Sequence, residues 1–413
     1  MDLQLQVNGV ATEAEARTLG EERSQFAFAL APEEREQILE IYRRVWGERG
    51  YRQIKRIFSW KFERNPYLSP DELEIAIYRS KGRIVAFLGA IPYLFKIGER
   101  FERATWLMDY ISLPEFRSKG LWIAYKVFLG RAVMVGAPNT EVAYRTFKGM
   151  GKRHRAGEID IGTYRHLVKF IEIDHLSEVK RLLALRPFVA VANRIWKILS
   201  AICWSNFSRW RKPSVKIEPV RRFDSELDEL WERACLDYEI IPKRSSDYLN
   251  WRYLDHPDNN YFNFVAKRDG QVCGYLVLHA VKLKSGEGGR IVDILAGRQD
   301  EEAFRTMVSF AIDFFRKRGA KEIQALDSRC PALERVYKRL GFKAAFSSQK
   351  PLRLMGWTWI KEIPREYFYN GDNWYFTYAD CESDMFPLQV EETEKDGSST
   401  PALSHPVQSS VVT

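Results

Sequence analysis

The residues best placed to do chemistry stand together in Leu113-Pro-Glu-Phe-Arg117-Ser118-Lys119-Gly120-Leu121-Trp122-Ile-Ala. An apolar run ends at Pro114, a short basic loop follows, and apolar residues at helical spacing resume near Gly120. Backbone N–H groups at a helix start, approached closely where glycine removes the side chain, make an anion site. Arg117 and Lys119 add positive charge beside it, so the chemistry suggested is binding of a pyrophosphate. The spacing fits neither GxxxxGK[ST] nor GxGxxG. A basic turn on a solvated surface could hold the same residues, so the surrounding elements have to decide.

Those elements occur twice. Trp60-Lys-Phe-Glu-Arg-Asn-Pro66 reappears as Trp251-Arg-Tyr-Leu-Asp-His-Pro257. Each copy runs into two apolar strands joined at a basic turn, Lys81-Gly82 in the first and Asp269-Gly270 in the second, which predicts tight hairpins. A further strand follows (105–113; 290–295), then a long amphipathic helix (121–135; 301–318). Each copy closes on a helix with an aromatic residue four positions before glycine: Phe147 and Gly151, then Tyr337 and Gly341. The same order in every element predicts two homologous α/β domains.

With the repeat in hand, the chain resembles the GCN5-related N-acetyltransferase (GNAT) family in tandem. Arg117-Ser-Lys-Gly120-Leu-Trp122 is similar to that family's (Arg/Gln)-x-x-Gly-x-(Gly/Ala) pyrophosphate loop, with Trp122 where glycine or alanine is usual. It is closer to a branch reading Arg-Gly-x-Gly-Leu-Phe, whose Phe-Pro-Asn segment resembles Ala137-Pro138-Asn139. The resemblance covers residues 30–175 well and 220–345 more weakly. It implies a fold of two tandem domains, each a mixed central sheet flanked by helices, and acetyl-CoA or another acyl-CoA as cosubstrate with no metal. It also implies that pantetheine pairs with the strand edge at Ile111, Ser112 and Leu113. Residues Arg117, Ser118, Lys119, Gly120, Leu121 and Trp122 would cradle the pyrophosphate, and Asn139 would lie near pantetheine. Direct attack by an amine on the thioester needs a base, for which Asp109 is the candidate. Tyr144 is the candidate acid for the leaving thiolate; the family's usual tyrosine position is Phe147 here. Asp109 also reads as a strand-end carboxylate with a structural role.

The second copy departs from the cofactor pattern. Ile294-Leu-Ala-Gly-Arg298-Gln-Asp-Glu-Glu has one cation and then three acids where phosphates would lie, so like charges would repel them. That domain is expected to be degenerate and to shape the acceptor cleft.

The 413 residues give an N-terminal extension (1–30), the domain carrying the loop (31–178), a basic linker (179–215), the degenerate domain (216–388) and a disordered tail (389–413). Residues 179–222 hold eleven Lys and Arg against Glu218 alone. Within 182–212, apolar positions at helical spacing accompany Trp196, Trp204, Trp210 and several cations. That pattern suits an interdomain helix, or peripheral contact with an anionic membrane. The formal charge of +9 favours anionic partners, while no aromatic stacking module points to nucleic acid. No apolar run is long enough to span a bilayer, and the acidic, polar start does not read as a signal peptide. The five scattered cysteines show no metal-ligand spacing and read as reduced thiols. The expected protein is cytoplasmic, with the inner membrane face as the alternative the linker opens, and its oligomeric state is not legible. Its expected activity is transfer of an acetyl or acyl group to a primary amine. The alternatives are a catalytically inactive scaffold, in which Trp122 blocks the loop, and a membrane-associated acyltransferase acting on lipid or cell-envelope precursors.

Overall fold

A computed structural model of the chain describes residues 24–27, 30–68, 75–116, 131–138, 141–153, 159–171, 195, 214–258, 260–283, 286–345 and 351–380. The first helix, α1 (Pro32–Glu63), starts on proline, with Glu33 and Glu34 in its first turn where acids suit the helix dipole. It breaks at Gly47, whose φ of 76° only glycine adopts without strain. On either side of the break it buries Ile38, Leu39, Ile41 and Tyr42, then Ile54, Ile57, Phe58, Lys61 and Phe62.

The first repeat continues as β1 (Ser24–Ala27), β2 (Ile75–Ser80), β3 (Arg83–Ile97), β4 (Arg100–Ser112) and β5 (Val133–Gly136), with α2 (Glu141–Arg153) after it. The second gives β10 (Tyr261–Arg268), β11 (Gln271–Leu283), β12 (Gly286–Ala296), α3 (Glu301–Lys317), β13 (Glu322–Leu326) and α4 (Pro331–Arg339). Both predicted hairpins form. Lys81 and Gly82 take φ values of 50° and 75°, and Asp269 and Gly270 take 50° and 83°. Two successive left-handed residues match the twist of the strands they join. β3 is buried along nearly its whole length, as a central strand covered on both faces must be.

Two mixed sheets result. The first runs β1-β2-β3-β4-β5-β15-β6, where β6 is Asp160–Tyr164 and β15 is Leu352–Thr358. The second runs β14-β7-β13-β12-β11-β10-β8, where β7 is His166–Phe170, β8 is Val215–Pro219 and β14 is Lys343–Ala344. Each sheet therefore takes one strand from the other half of the chain. β15 lies between β5 and β6, and β7 lies between β13 and β14. A third connection is β9 (Ile240–Pro242), which pairs with the far end of β3.

The repeated tryptophans meet where the halves join. Trp60 and Trp251 stack with ring centroids 5.0 Å apart and planes 15° apart. Trp60 Nε1 donates to the Trp251 carbonyl at 2.6 Å, and Trp251 Nε1 donates to the Trp60 carbonyl at 2.9 Å. Equivalent residues making the same contact in both directions define a local two-fold relation, as in a symmetric dimer interface. The exchanged strands and this reciprocal pair bind the repeats into one folded unit.

Candidate active site

The first sheet opens where the parallel strands β4 and β5 separate. They pair at Thr105↔Met134, Trp106↔Val135 and Leu107↔Gly136, and beyond Leu107 the only strand that β4 pairs with among the described residues is β3. A bulge marks the change: Leu88 faces Tyr110 and Ala90 faces Leu107, so Gly89 opposes both Met108 and Asp109. A Cβ at Gly89 would lie 2.6 Å from the Phe62 ring and 2.7 Å from the Phe87 ring, so glycine is needed there.

The ladder fixes which backbone groups face the opening. Leu113 N donates to the Val85 carbonyl at 2.9 Å. Alternation in an antiparallel pair therefore turns the N–H and C=O of Ile111 and Leu113 toward β3, and those of Tyr110 and Ser112 toward the opening. Of the predicted edge residues Ile111, Ser112 and Leu113, Ser112 presents its backbone outward; Tyr110, which sequence reasoning missed, does the same. Burial pushes the Tyr110 phenol up to about 12, against a lowering by its hydrogen bond with Ser112, so it keeps its proton at neutral pH. After β4 a single 3-10 turn (Pro114–Phe116) leads into the predicted loop. Arg117, Ser118, Lys119, Gly120, Leu121, Trp122 and Asn139 lie outside the described residues, as do most of the 182–212 linker and the tail.

The two proton-transfer candidates have separate sets of partners. Asp109 sits beneath the bulge with its side chain 1% exposed; Lys61 Nζ lies 2.8 Å away, and the Tyr42 hydroxyl donates to it at 2.6 Å. Tyr144, on α2, donates to Asp160 of β6 at 3.0 Å, and Lys148 donates to both at 2.9 Å. Arg353 covers the Tyr144 ring at 4.3 Å. The Lys148 ammonium is held above its ordinary value by its hydrogen bonds with Tyr144 and Asp160.

The second repeat shows the same positions in another state. Val292-Asp293-Ile294-Leu295-Ala296 matches Met108-Asp109-Tyr110-Ile111-Ser112, again beside a bulge and beyond the last parallel pairing, here Arg290↔Gln324. The outward carbonyls of this edge are occupied: Tyr375 OH donates to Ile294 O, and Tyr238 OH donates to Ala296 O at 2.9 Å. At the following helix start, Asp300 accepts from Ala303 N at 3.0 Å, and Asp237 accepts from Arg298 N at 3.2 Å. The chain's own tyrosines thus bond the carbonyls of this edge, and its carboxylates bond the N–H groups at the helix start. Asp293 is fully buried and ion-paired too, with Arg244 Nε at 3.3 Å and the hydroxyls of Tyr253, Tyr275 and Thr377 at 3.1, 2.8 and 3.1 Å. Burial raises the neighbouring Asp380 carboxyl, although Arg244 grips both its oxygens at 2.6 and 2.7 Å. A buried, paired aspartate at the bulge is common to both edges.

Two such sheets, each with a bulged strand parting from a parallel neighbour, define the GNAT fold in tandem, and that is the fold of this chain. Solved structures agree. A GCN5-related N-acetyltransferase from Anabaena variabilis aligns over 81% of this chain and 72% of its own, at 13% identity and a TM-score of 0.52. A probable N-acyltransferase from Enterococcus faecalis aligns over 84% and 74%, at 10% identity and a TM-score of 0.52. The Saccharomyces cerevisiae N-myristoyltransferase with bound myristoyl-CoA aligns over 82% and 79%, at 13% identity and a TM-score of 0.50. No protein-family model matches the sequence, and no curated protein matches it. No described helix is long and apolar enough to cross a membrane.

Proposed function

We propose that the chain is an acyl-CoA-dependent N-acyltransferase with a single cofactor site, in its first repeat. The observation that carries this reading is the stretch of β4 beyond Leu107, set against the matching edge of β12 that the chain's own tyrosines cap. Pantetheine would pair as an added strand with the outward groups of Tyr110 and Ser112. An N–H of the same edge would stabilise charge developing on the thioester oxygen as the amine attacks. Arg117, Ser118, Lys119, Gly120, Leu121 and Trp122 would hold the pyrophosphate at the helix start, and Asn139 would flank pantetheine.

In this reading Asp109 holds the bulge and transfers no proton. A base must reach the proton it abstracts; this carboxylate is locked between Lys61 and Tyr42, as Asp293 is locked in the second repeat. Tyr144, committed to Asp160, anchors α2 to β6. The acceptor is an amine, and the fold neighbours make both short and long acyl chains worth testing. Release of free CoA thiol from acetyl-CoA and from myristoyl-CoA in the presence of a panel of primary amines tests the activity. Amine-dependent release by the wild type, abolished in Gly120→Asp, supports it. Release from neither thioester above the rate of the Gly120→Asp variant counts against it.

A further inference from the structure

Lys61 and Lys96 are buried, and each is matched: Lys61 by Asp109 at 2.8 Å, and Lys96 by the Tyr238 carbonyl at 2.6 Å. Lys169, half-buried on β7, differs from both. Among the described residues it has no hydrogen bond and no ion pair. Its ammonium lies over the turn that follows α4, where a Cβ at Gly341 would stand 3.3 Å from Lys169 Nζ.

The register shows where the nearby charges go. Lys169 pairs with Ile323 of β13 and shares its face of the sheet. Glu322 pairs with Phe170, and Lys343 of β14 pairs with Val168, so both belong to the opposite face, where Glu322 accepts from Gln324 Nε2 at 3.3 Å. On α3, Arg316 is the charge that acts on Lys169, and the acid one turn before it, Asp313, is ion-paired with that arginine at 3.6 Å. On α4, Arg335 and Arg339 are both paired with Glu301, Glu334 stands beside Asp327, and Lys338 is exposed. Burial first, and the Arg316 guanidinium second, hold the titration of the Lys169 ammonium below its ordinary value. An amine that is partly desolvated and set beside another cation is activated as a nucleophile.

We propose that Lys169 is a modification site, acylated directly by acyl thioesters such as acetyl-CoA without the help of the acyl-CoA site in the first repeat. The ammonium first gives a proton to water. The neutral amine then attacks the thioester carbonyl, the N–C bond forms, the C–S bond breaks, and the thiolate leaves while the surplus proton on nitrogen passes to water. The product is a neutral amide, which ends the repulsion between Lys169 and Arg316. The modified strand is β7, the one that sits between β13 and β14 in the second sheet.

Incubation of the full chain with acetyl-CoA over a pH series, with peptide mass spectrometry of each lysine against time, tests the proposal. Lys338 and Lys361, both exposed, are the internal references. The wild type is compared with Gly120→Asp, which disables the proposed acyl-CoA loop, and with Arg316→Glu, which sets a carboxylate where the cation stood; circular dichroism melting checks that both variants fold. The expected result is acetylation of Lys169 about threefold or more faster than that of either reference near neutral pH, unchanged in Gly120→Asp and slowed by about the same factor in Arg316→Glu. Three outcomes overturn it: Lys169 reacts no faster than Lys338 and Lys361, its rate is unchanged in Arg316→Glu, or its acetylation disappears in Gly120→Asp. The last would make the modification a product of the acyl-CoA site, whereas absence of amine acylation by the wild type would leave the first two comparisons intact.

Discussion

If Asp109 positions the bulge, the charge of Lys61 should matter more than the chemistry of the carboxylate. At 2.8 Å and an effective dielectric of about 20, the pair attracts by about 6 kcal/mol, most of it offset by desolvation of two fully buried groups. Lys61→Met removes the attraction and leaves a desolvated carboxylate without its ammonium partner. The expected loss is about 3–5 kcal/mol. Replacing both partners, in Lys61→Met/Asp109→Leu, removes the stranded charge and should recover most of that loss. Equilibrium urea unfolding followed by tryptophan fluorescence gives the four corners of the double-mutant cycle. A single-variant cost under about 1 kcal/mol, or no recovery in the double variant, would refute the reasoning. The double variant also decides the role in catalysis. If it binds acyl-CoA and still acylates an amine, Asp109 is structural. If it binds acyl-CoA but no longer transfers, Asp109 is the base after all.

Other consequences follow from the same contacts. Trp60→Ala should cost about 3–5 kcal/mol in urea unfolding, and Trp46→Ala much less, because Trp46 is 47% exposed whereas Trp60 is 2% exposed; equal costs would contradict the interface described. Tyr238→Phe and Tyr375→Phe should each lose about 0.5–1.5 kcal/mol by leaving an edge carbonyl unpaired, without creating a second acyl-CoA site. The folded state should weaken as pH rises from 10 to 12. Burial raises Tyr110 to about 12 from an ordinary 10.0, and raises Tyr67 and Tyr93 as well, so the unfolded chain loses these protons first. That stabilisation is complete below pH 10 and is lost above it; a urea midpoint unchanged to pH 12 would refute the assignment.

What the sequence made legible was local or repeated. Lys81-Gly82 and Asp269-Gly270 announce their turns because few dipeptides accept two left-handed residues. The Trp60 and Trp251 segments announce the repeat, although nothing in them says that the two rings face one another. The strand exchange was hidden. His-Leu-Val-Lys-Phe at 166–170 and Leu-Arg-Leu-Met-Gly-Trp-Thr at 352–358 form strands, but strand character carries no information about which sheet supplies the partners. The same limit applied to the site. Asp109 was visible as a carboxylate before a basic loop, while its partners Tyr42 and Lys61 come from α1, 67 and 48 positions earlier. The acids after Gly297 pointed to a second copy unsuited to phosphate. The capping of its edge by Tyr238 and Tyr375 depends on folding remote segments back, which no local pattern records.

Calorimetric titration of acetyl-CoA, repeated with myristoyl-CoA, into the wild type, Arg117→Glu and Arg298→Glu tests the central claim most directly. The account predicts one site per chain for at least one of the two thioesters, lost in Arg117→Glu and retained in Arg298→Glu. Two sites, a single site that disappears only in Arg298→Glu, or no saturable binding of either thioester would contradict it.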